Sequence, residues 1–124
     1  MKQGCASAKG CDVVFCAPPT EVVKQIEPDF GSGFVVVIEA AAHRMEVDVS
    51  LMIPEINADH LKLLDAQKKK RGWKGGLATT PNCIVTCLAI VVKPLIDDFG
   101  AQKVIVTTMQ TLSGAGYPGV PLWR

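Results

Sequence analysis

Cys11 to Ala40 read CDVVFCAPPTEVVKQIEPDFGSGFVVVIEA. The opening CDVVFCAPP is a short β-branched and aromatic run closed by two prolines, which predicts a buried strand leaving at Phe15 into a loop at Ala17-Pro18-Pro19. In TEVVKQIEPDF, Thr20 suits an N-cap and Val22, Val23 and Ile26 fall on one face, so a short helix is expected to end near Pro28. GFVVVIEA then carries no polar alternation, as expected of a strand covered on both faces. Strand, helix and apolar strand in this order predict a parallel βαβ unit and an α/β fold.

Downstream, residues 40–59 look irregular, with Pro54 and the turn-prone Asn57-Ala58-Asp59 around a short apolar LMIP. HLKLLDAQKKKRG predicts a helix ending at Gly72, and GGLATTPN a third strand. Ile84 to Phe99 is periodic and apolar, with Gly100 just past its end; Pro94 inside it predicts a kink or an early last turn. KVIVTTMQT reads as a fourth strand and LSGAGYPGVP as a glycine-rich loop. The chain starts almost on a strand and stops at VPLWR just after a loop, so a middle piece of a larger fold is expected, with uncovered edges that favour association.

Composition narrows the function. Hydrophobic residues make up 48% of the 124 and charged residues 20%, and 13 Lys and Arg nearly balance 12 Asp and Glu. That describes a globular chain with no electrostatic bias toward nucleic acid or membrane. Five irregularly spaced cysteines fit a reducing cytoplasm better than a disulfide framework, and no apolar run has signal-peptide or membrane-spanning length. Cys11 and Cys16 flank a strand with no histidine near them, so no metal site is expected.

One stretch carries candidate chemistry. In TTPNCIVTC, Cys83 follows Asn82, a good N-cap residue, and so falls in the first turn of the Ile84 to Phe99 helix. Free N–H groups and the positive dipole end favour a thiolate there, which suits a nucleophile; a small core side chain at a strand-to-helix junction is the alternative. Cys87, four residues on, is expected in the core. The loop Ser113 to Gly119 has a backbone able to approach a flat or phosphorylated ligand, and Gln110 precedes it near a strand end, where open α/β sheets collect ligands. Arg44 suits an anion clamp or a local salt bridge, and His43 has no evident partner. Lys68 to Arg71 complements a helix C-terminus and is expected to be a solvated face.

Taken in order, CDVVFCAPP, AHRMEVDVSLMIPEINADHL, RGWKGGLATTPNC, VVKPLIDDFG and TTMQTLSGAGYPGVP resemble a middle portion of aspartate-semialdehyde dehydrogenase, most like its archaeal and fungal branch. The resemblance implies a partial Rossmann-like parallel sheet continuing into an α+β catalytic domain. Residues 1–81 would be the end of the NADP domain and 82–124 the start of the catalytic and dimerisation domain. It implies an oxidoreductase that converts aspartyl phosphate to aspartate semialdehyde and phosphate with NADPH, through a thioester on Cys83. Asn82 and Arg44 would meet the substrate phosphate and Gln110 would orient the acyl group. Ala17 and Pro18, with Ser113, Gly114 and Gly116, would lie near NADP. A homo-oligomer, or association with a fuller-length relative, is implied as well.

The chain departs from the family at several points. Ile38-Glu39 stands where Ser-Asn is usual, Thr80 replaces a common Asn, and Ile84-Val85 replace small hydroxyl residues. The family's glycine-rich phosphate turn, its histidine acid/base and its arginine for the substrate carboxylate have no counterpart, since His43 and His60 lie in other motifs. Two further readings therefore stand beside the first: an acyl-CoA reductase similar to the malonyl-CoA reductases, which Thr80 resembles and Asn82 does not, and a non-catalytic associating chain.

Overall fold

A computed structural model of the chain describes residues 10–111. Four strands, β1 (Val13–Cys16), β2 (Val35–Ile38), β3 (Ser50–Leu51) and β4 (Gly76–Thr79), form one parallel sheet in the order β1-β2-β4-β3. Helices α1 (Thr20–Gly31), α2 (Pro54–Asn57), α3 (Leu63–Arg71) and α4 (Cys83–Phe99) complete it, with a 3-10 turn at Ala58–Lys62. The β1-α1-β2 unit and the parallel, helix-flanked sheet are those expected from the sequence, a partial Rossmann-like fold that runs on into α4.

Burial explains which runs are apolar. β2 and β4 are central, with Val36, Ile38 and Leu77 fully buried among Cys16, Val23, Ala42 and Val49. Each such aliphatic side chain contributes about 1.5–3 kcal/mol relative to exposure. β4 is covered on both faces. A Cβ on Gly31 of α1 would come within 2.7 Å of Leu77 Cδ2, while one on Gly76 would meet Leu64 and Gln67 of α3 on the other side. Gly75 faces the closest approach of all, since a Cβ there would sit 2.0 Å from the Phe34 carbonyl oxygen; only glycine lets β4 enter beside β2.

Buried Gln67 ties α3 to the sheet. Its Oε1 accepts from Leu77 N at 2.6 Å and its Nε2 donates to Asp48 O at 2.8 Å and to Leu77 O at 3.3 Å.

Several expectations are corrected. β1 is only half buried: Val14 and Cys16 face the core while Val13 and Phe15 are exposed, because an edge strand has one face on α1 and the core. Helix α1 runs past Pro28 to Gly31, because the loss of one backbone N–H does not by itself end a helix. Phe30, packed on the core, receives Gly33 N and Phe34 N at its carbonyl and closes the helix.

The stretch expected to be irregular holds β3, α2 and the 3-10 turn, so the helix after it starts at Leu63; it ends at Gly72, in the left-handed region at φ 68°. Asn57 organises this stretch, its Oδ1 accepting from Ile53 N at 2.8 Å and its Nδ2 donating to Leu51 O at 3.0 Å. Helix α4 passes through Pro94 to Phe99 before Gly100 at φ 66°. Residues 103–111, expected to be a strand, form none, because no neighbouring strand among the described residues pairs with them.

Candidate functional site

All four strands end at one edge, and backbone bonds carry the ladder one residue further. Glu39 N donates to Cys16 O, Thr80 N to Ile38 O and Met52 N to Thr79 O, each at 3.0 Å. Beyond this C-terminal edge, where open parallel sheets bind ligands, lies an open cleft of about 700 Å³ lined by Thr20, Glu39, Arg44, Asn82, Cys83 and Gln110, among others.

Asn82 acts as the N-cap of α4. With φ −59° and ψ 142° it is non-helical, its Oδ1 accepts from Ile84 N at 3.0 Å, and its carbonyl receives Thr86 N at 2.9 Å. Cys83 is therefore the first residue of the helix, exposed, beside N–H groups that the helix leaves unbonded and that carry its positive end. The core alternative for Cys83 fails. Cys87, expected in the core, is exposed too and lines the same cleft, because α4 buries none of its residues fully.

Arg44 holds the loop leading to Cys83. Its Nε donates to Thr80 O at 2.8 Å, and its Nη2 donates to Glu39 O at 2.9 Å and to Pro81 O at 3.3 Å. Three carbonyls at the ends of β2 and β4 thus converge on one guanidinium, and among the described residues Arg44 makes no ion pair, contrary to the salt-bridge alternative. Glu39 lines the cleft as well, its Oε2 accepting from the Thr80 hydroxyl at 3.0 Å. The two residues that depart from the family pattern at 39 and 80 bond to one another.

Arg44 is aimed by its predecessor. His43 sits at φ 60°, uncommon for a residue with a Cβ, and is held by a hydrogen bond between its Nδ1 and Glu46 Oε1. Glu46 N donates to His43 O at 3.1 Å, closing the turn. The Glu46 carboxylate also meets Arg71 Nη2 at 2.5 Å. Arg71 in turn grips Asp48 through Nε at 2.7 Å and Nη2 at 2.9 Å, its guanidinium carbon 4.9 Å from the centre of a Trp73 ring.

The Arg71 hydrogen bonds outweigh burial and hold the Asp48 carboxyl down to about 2, and the same bonds raise Arg71. Burial pushes Glu46 up, but Arg71 and His43 together bring it below the usual carboxylate value. The basic run at 68–71 is thus a solvated face only in part, since Arg71 is committed to this cluster. Neither that cluster nor Gln67 was legible as such: the residues are spread over 46–73, and no spacing rule joins them.

The structure brings together Arg44, Asn82, Cys83 and Gln110, and it adds Thr20 from the start of α1. Ala17 and half-buried Pro18 lie at the C-terminal end of β1, next to α1 but off the cleft lining. Ser113, Gly114 and Gly116 lie outside the described residues.

Residues 2–64 match a family model described as semialdehyde dehydrogenase, NAD binding domain. The chain belongs to the semialdehyde dehydrogenase family. It is 51% identical over 111 residues to an aspartate-semialdehyde dehydrogenase of Archaeoglobus fulgidus, covering 89% of this chain and 32% of that one. It is 41% identical over 110 residues to a malonyl CoA reductase (NADP) of Metallosphaera sedula, covering 88% and 31%.

Among solved structures, aspartate semialdehyde dehydrogenase with NADP from Candida albicans superposes with a TM-score of 0.63 at 34% identity, over 73% of this chain and 27% of that one. Aspartate semialdehyde dehydrogenase II complexed with ASA from Vibrio cholerae gives 0.69 at 26% identity, over 87% and 30%. The chain therefore spans about a third of the length of the curated relatives it matches. No helix among the described residues is long and apolar enough to cross a membrane.

Proposed function

We propose that this chain contributes the nucleophile and the substrate-phosphate side of an NADP-dependent aspartate-semialdehyde dehydrogenase site. The observation that carries the reading is the convergence of Cys83, Asn82, Arg44 and Gln110 on one cleft at the start of α4. In the reductive direction, the Cys83 sulfur attacks the acyl carbon of aspartyl phosphate, phosphate leaves with the electrons of the broken C–O bond, and a thioester remains. Arg44, its Nε and Nη2 engaged by carbonyls, keeps Nη1 for the departing phosphate, and Asn82 keeps its Nδ2 while Oδ1 caps the helix. Gln110 lines the same cleft and orients the acyl group.

NADP fits the residues present on one count: Thr20, at the start of α1, lines the cleft that Cys83 lines, and a helix N-terminus suits a dinucleotide phosphate. Ala17 and Pro18 at the end of β1 would hold the dinucleotide there, with Ser113, Gly114 and Gly116 from the later loop. When bound it supplies the hydride that reduces the acyl group. In this reading residues 1–81 belong to the dinucleotide domain and 82–124 open the catalytic domain. The protein works in the cytoplasm as a homo-oligomer or with a fuller-length relative.

A second reading, acyl-CoA reduction, is favoured by the 41% identity to a malonyl CoA reductase (NADP). The leaving group separates the two. Purified chain incubated with an acyl phosphate, and separately with an acyl-CoA, is digested and scanned for a thioester at Cys83. The proposal expects acylation by the acyl phosphate with phosphate released, and none in Cys83→Ser. Acylation by the acyl-CoA alone would transfer the chain to the second reading, and acylation by neither would favour a non-catalytic associating chain.

A further inference from the structure

Cys83 and Cys87 stand four residues apart on α4, one turn above the other, so their Cβ atoms lie about 5–6 Å apart. Both are exposed free thiols, and neither makes a hydrogen bond among the described residues. Both line the cleft beside Arg44 and Asn82, and both also line an adjoining apolar groove with Leu88 and Val91. We infer that this pair is a two-coordinate binding site for a soft monovalent metal ion of the Cu(I) class. The inference goes beyond the catalytic reading and does not need it.

Ligand type, number and spacing each select that class. Thiolate sulfur prefers soft ions such as Cu(I). Among the described residues no group of three or more His, Cys, Asp or Glu is placed to hold a metal, so a closed tetrahedral zinc site of four protein ligands is not formed. An ion content with two sulfurs remains. Taking the roughly 2.3 Å of a zinc–thiolate bond as the scale, a linear S–metal–S unit spans about 4.6 Å, which side chains one turn apart can bracket. A direct disulfide fits less well, because it needs Cβ atoms about 3.5–4.5 Å apart and would distort the first turns of α4.

Charge agrees with this choice. A monovalent ion held by two thiolates carries one net negative charge, set beside the positive end of α4 and the Arg44 guanidinium, which offset both that charge and the Glu39 carboxylate in the same cleft. On binding, each thiol gives its proton to solvent as its sulfur bonds the ion, and the metal keeps its oxidation state. Cys16 is buried, and Cys11 lies before β1 at the opposite edge of the sheet, so neither joins the pair.

The test uses the full chain in a Cys5→Ser, Cys11→Ser background, reduced and without oxygen, competing with a chromophoric chelator for Cu(I). One equivalent per chain is expected. Cys83→Ser and Cys87→Ser should each weaken binding roughly 10²–10⁴-fold, the contribution of a second tethered ligand, with an unchanged far-ultraviolet circular dichroism spectrum reporting a folded chain. A measurement without those substitutions accompanies it: bound Cu(I) should protect Cys83 and Cys87 together from brief alkylation. Affinity unchanged by Cys87→Ser, or protection of Cys83 alone, would overturn the inference.

Discussion

Arg44 and Thr80 are 36 residues apart in sequence, and the Arg44 Nε donates to the Thr80 carbonyl oxygen at 2.8 Å. With the bonds to Glu39 and Pro81, the contact fixes the turn from which β4 delivers Asn82 and Cys83. Hydrogen bonds to a charged group contribute about 1.5–3 kcal/mol, so Arg44→Ala is expected to destabilise the chain by about that much and to slow alkylation of Cys83. Arg44→Lys should recover little, since an ammonium lacks the planar fork that spans several carbonyls. Urea unfolding and thiol alkylation rates check both, and an unchanged Cys83 rate in Arg44→Ala would show that the brace does not position Cys83.

Acid sensitivity should trace to Asp48. Its folded-state value of about 2 lies below the ordinary carboxyl value of about 3.9, so its contribution is complete above the unfolded value and is lost as pH falls through the folded one. The side chain is 11% exposed, and the shift corresponds to roughly 2 kcal/mol, lost between about pH 4 and pH 2. Asp48→Asn should be less stable at neutral pH and should flatten that acid limb in urea titrations. A variant with the acid limb of the unchanged chain would place the sensitivity elsewhere.

Much of this architecture could be read beforehand, and the reasons are local. VVVI could only be a covered strand, and Asn82 and Gly100 bracket α4 through side-chain and backbone rules that act within a few residues. The site was legible through the resemblance more than through chemistry, because a cysteine after Pro-Asn fits a core position as well as a catalytic one. What stayed hidden depends on partners far along the chain. KVIVTTMQT has strand composition but no neighbour to pair with among the described residues, and β1 reads as buried although its outer face is bare. The clasp of Arg71 on Asp48 and Glu46 joins residues more than twenty positions apart, which no periodicity encodes.

Helix α4 leaves an apolar stripe in water. Val91, Leu95 and Phe99, at successive four-residue steps, are 61%, 46% and 79% exposed. Such a patch favours association. The chain is expected to self-associate at micromolar concentration in light scattering, and a Val91→Lys, Phe99→Lys double variant to shift toward monomer. A compact monomer before any substitution would contradict this.

Turnover by these residues alone should be near background. His43 is held by Glu46 and His60 lies 2.9 Å from Asn57 Nδ2, and neither lines the cleft, so the proton-cycling base is not among the described residues there. Loss of a general base typically costs about 10²–10⁴-fold. Aspartate semialdehyde with phosphate should therefore give no sustained reduction of NADP, followed by absorbance. Robust turnover abolished by Cys83→Ser would mean that copies of the chain complete the site.

Selective reaction of Cys83 is the most direct test of the account. Three described thiols, Cys11, Cys83 and Cys87, are exposed, yet only Cys83 occupies the first turn of a capped helix. Brief alkylation of the folded chain near neutral pH, followed by peptide mass spectrometry, should label Cys83 first. Asn82→Ala should slow that labelling and cost about 1 kcal/mol of stability, while Asn82→Asp should keep the cap. Labelling of Cys11 or Cys87 ahead of Cys83 in the folded chain would contradict the assignment of Cys83 as the nucleophile.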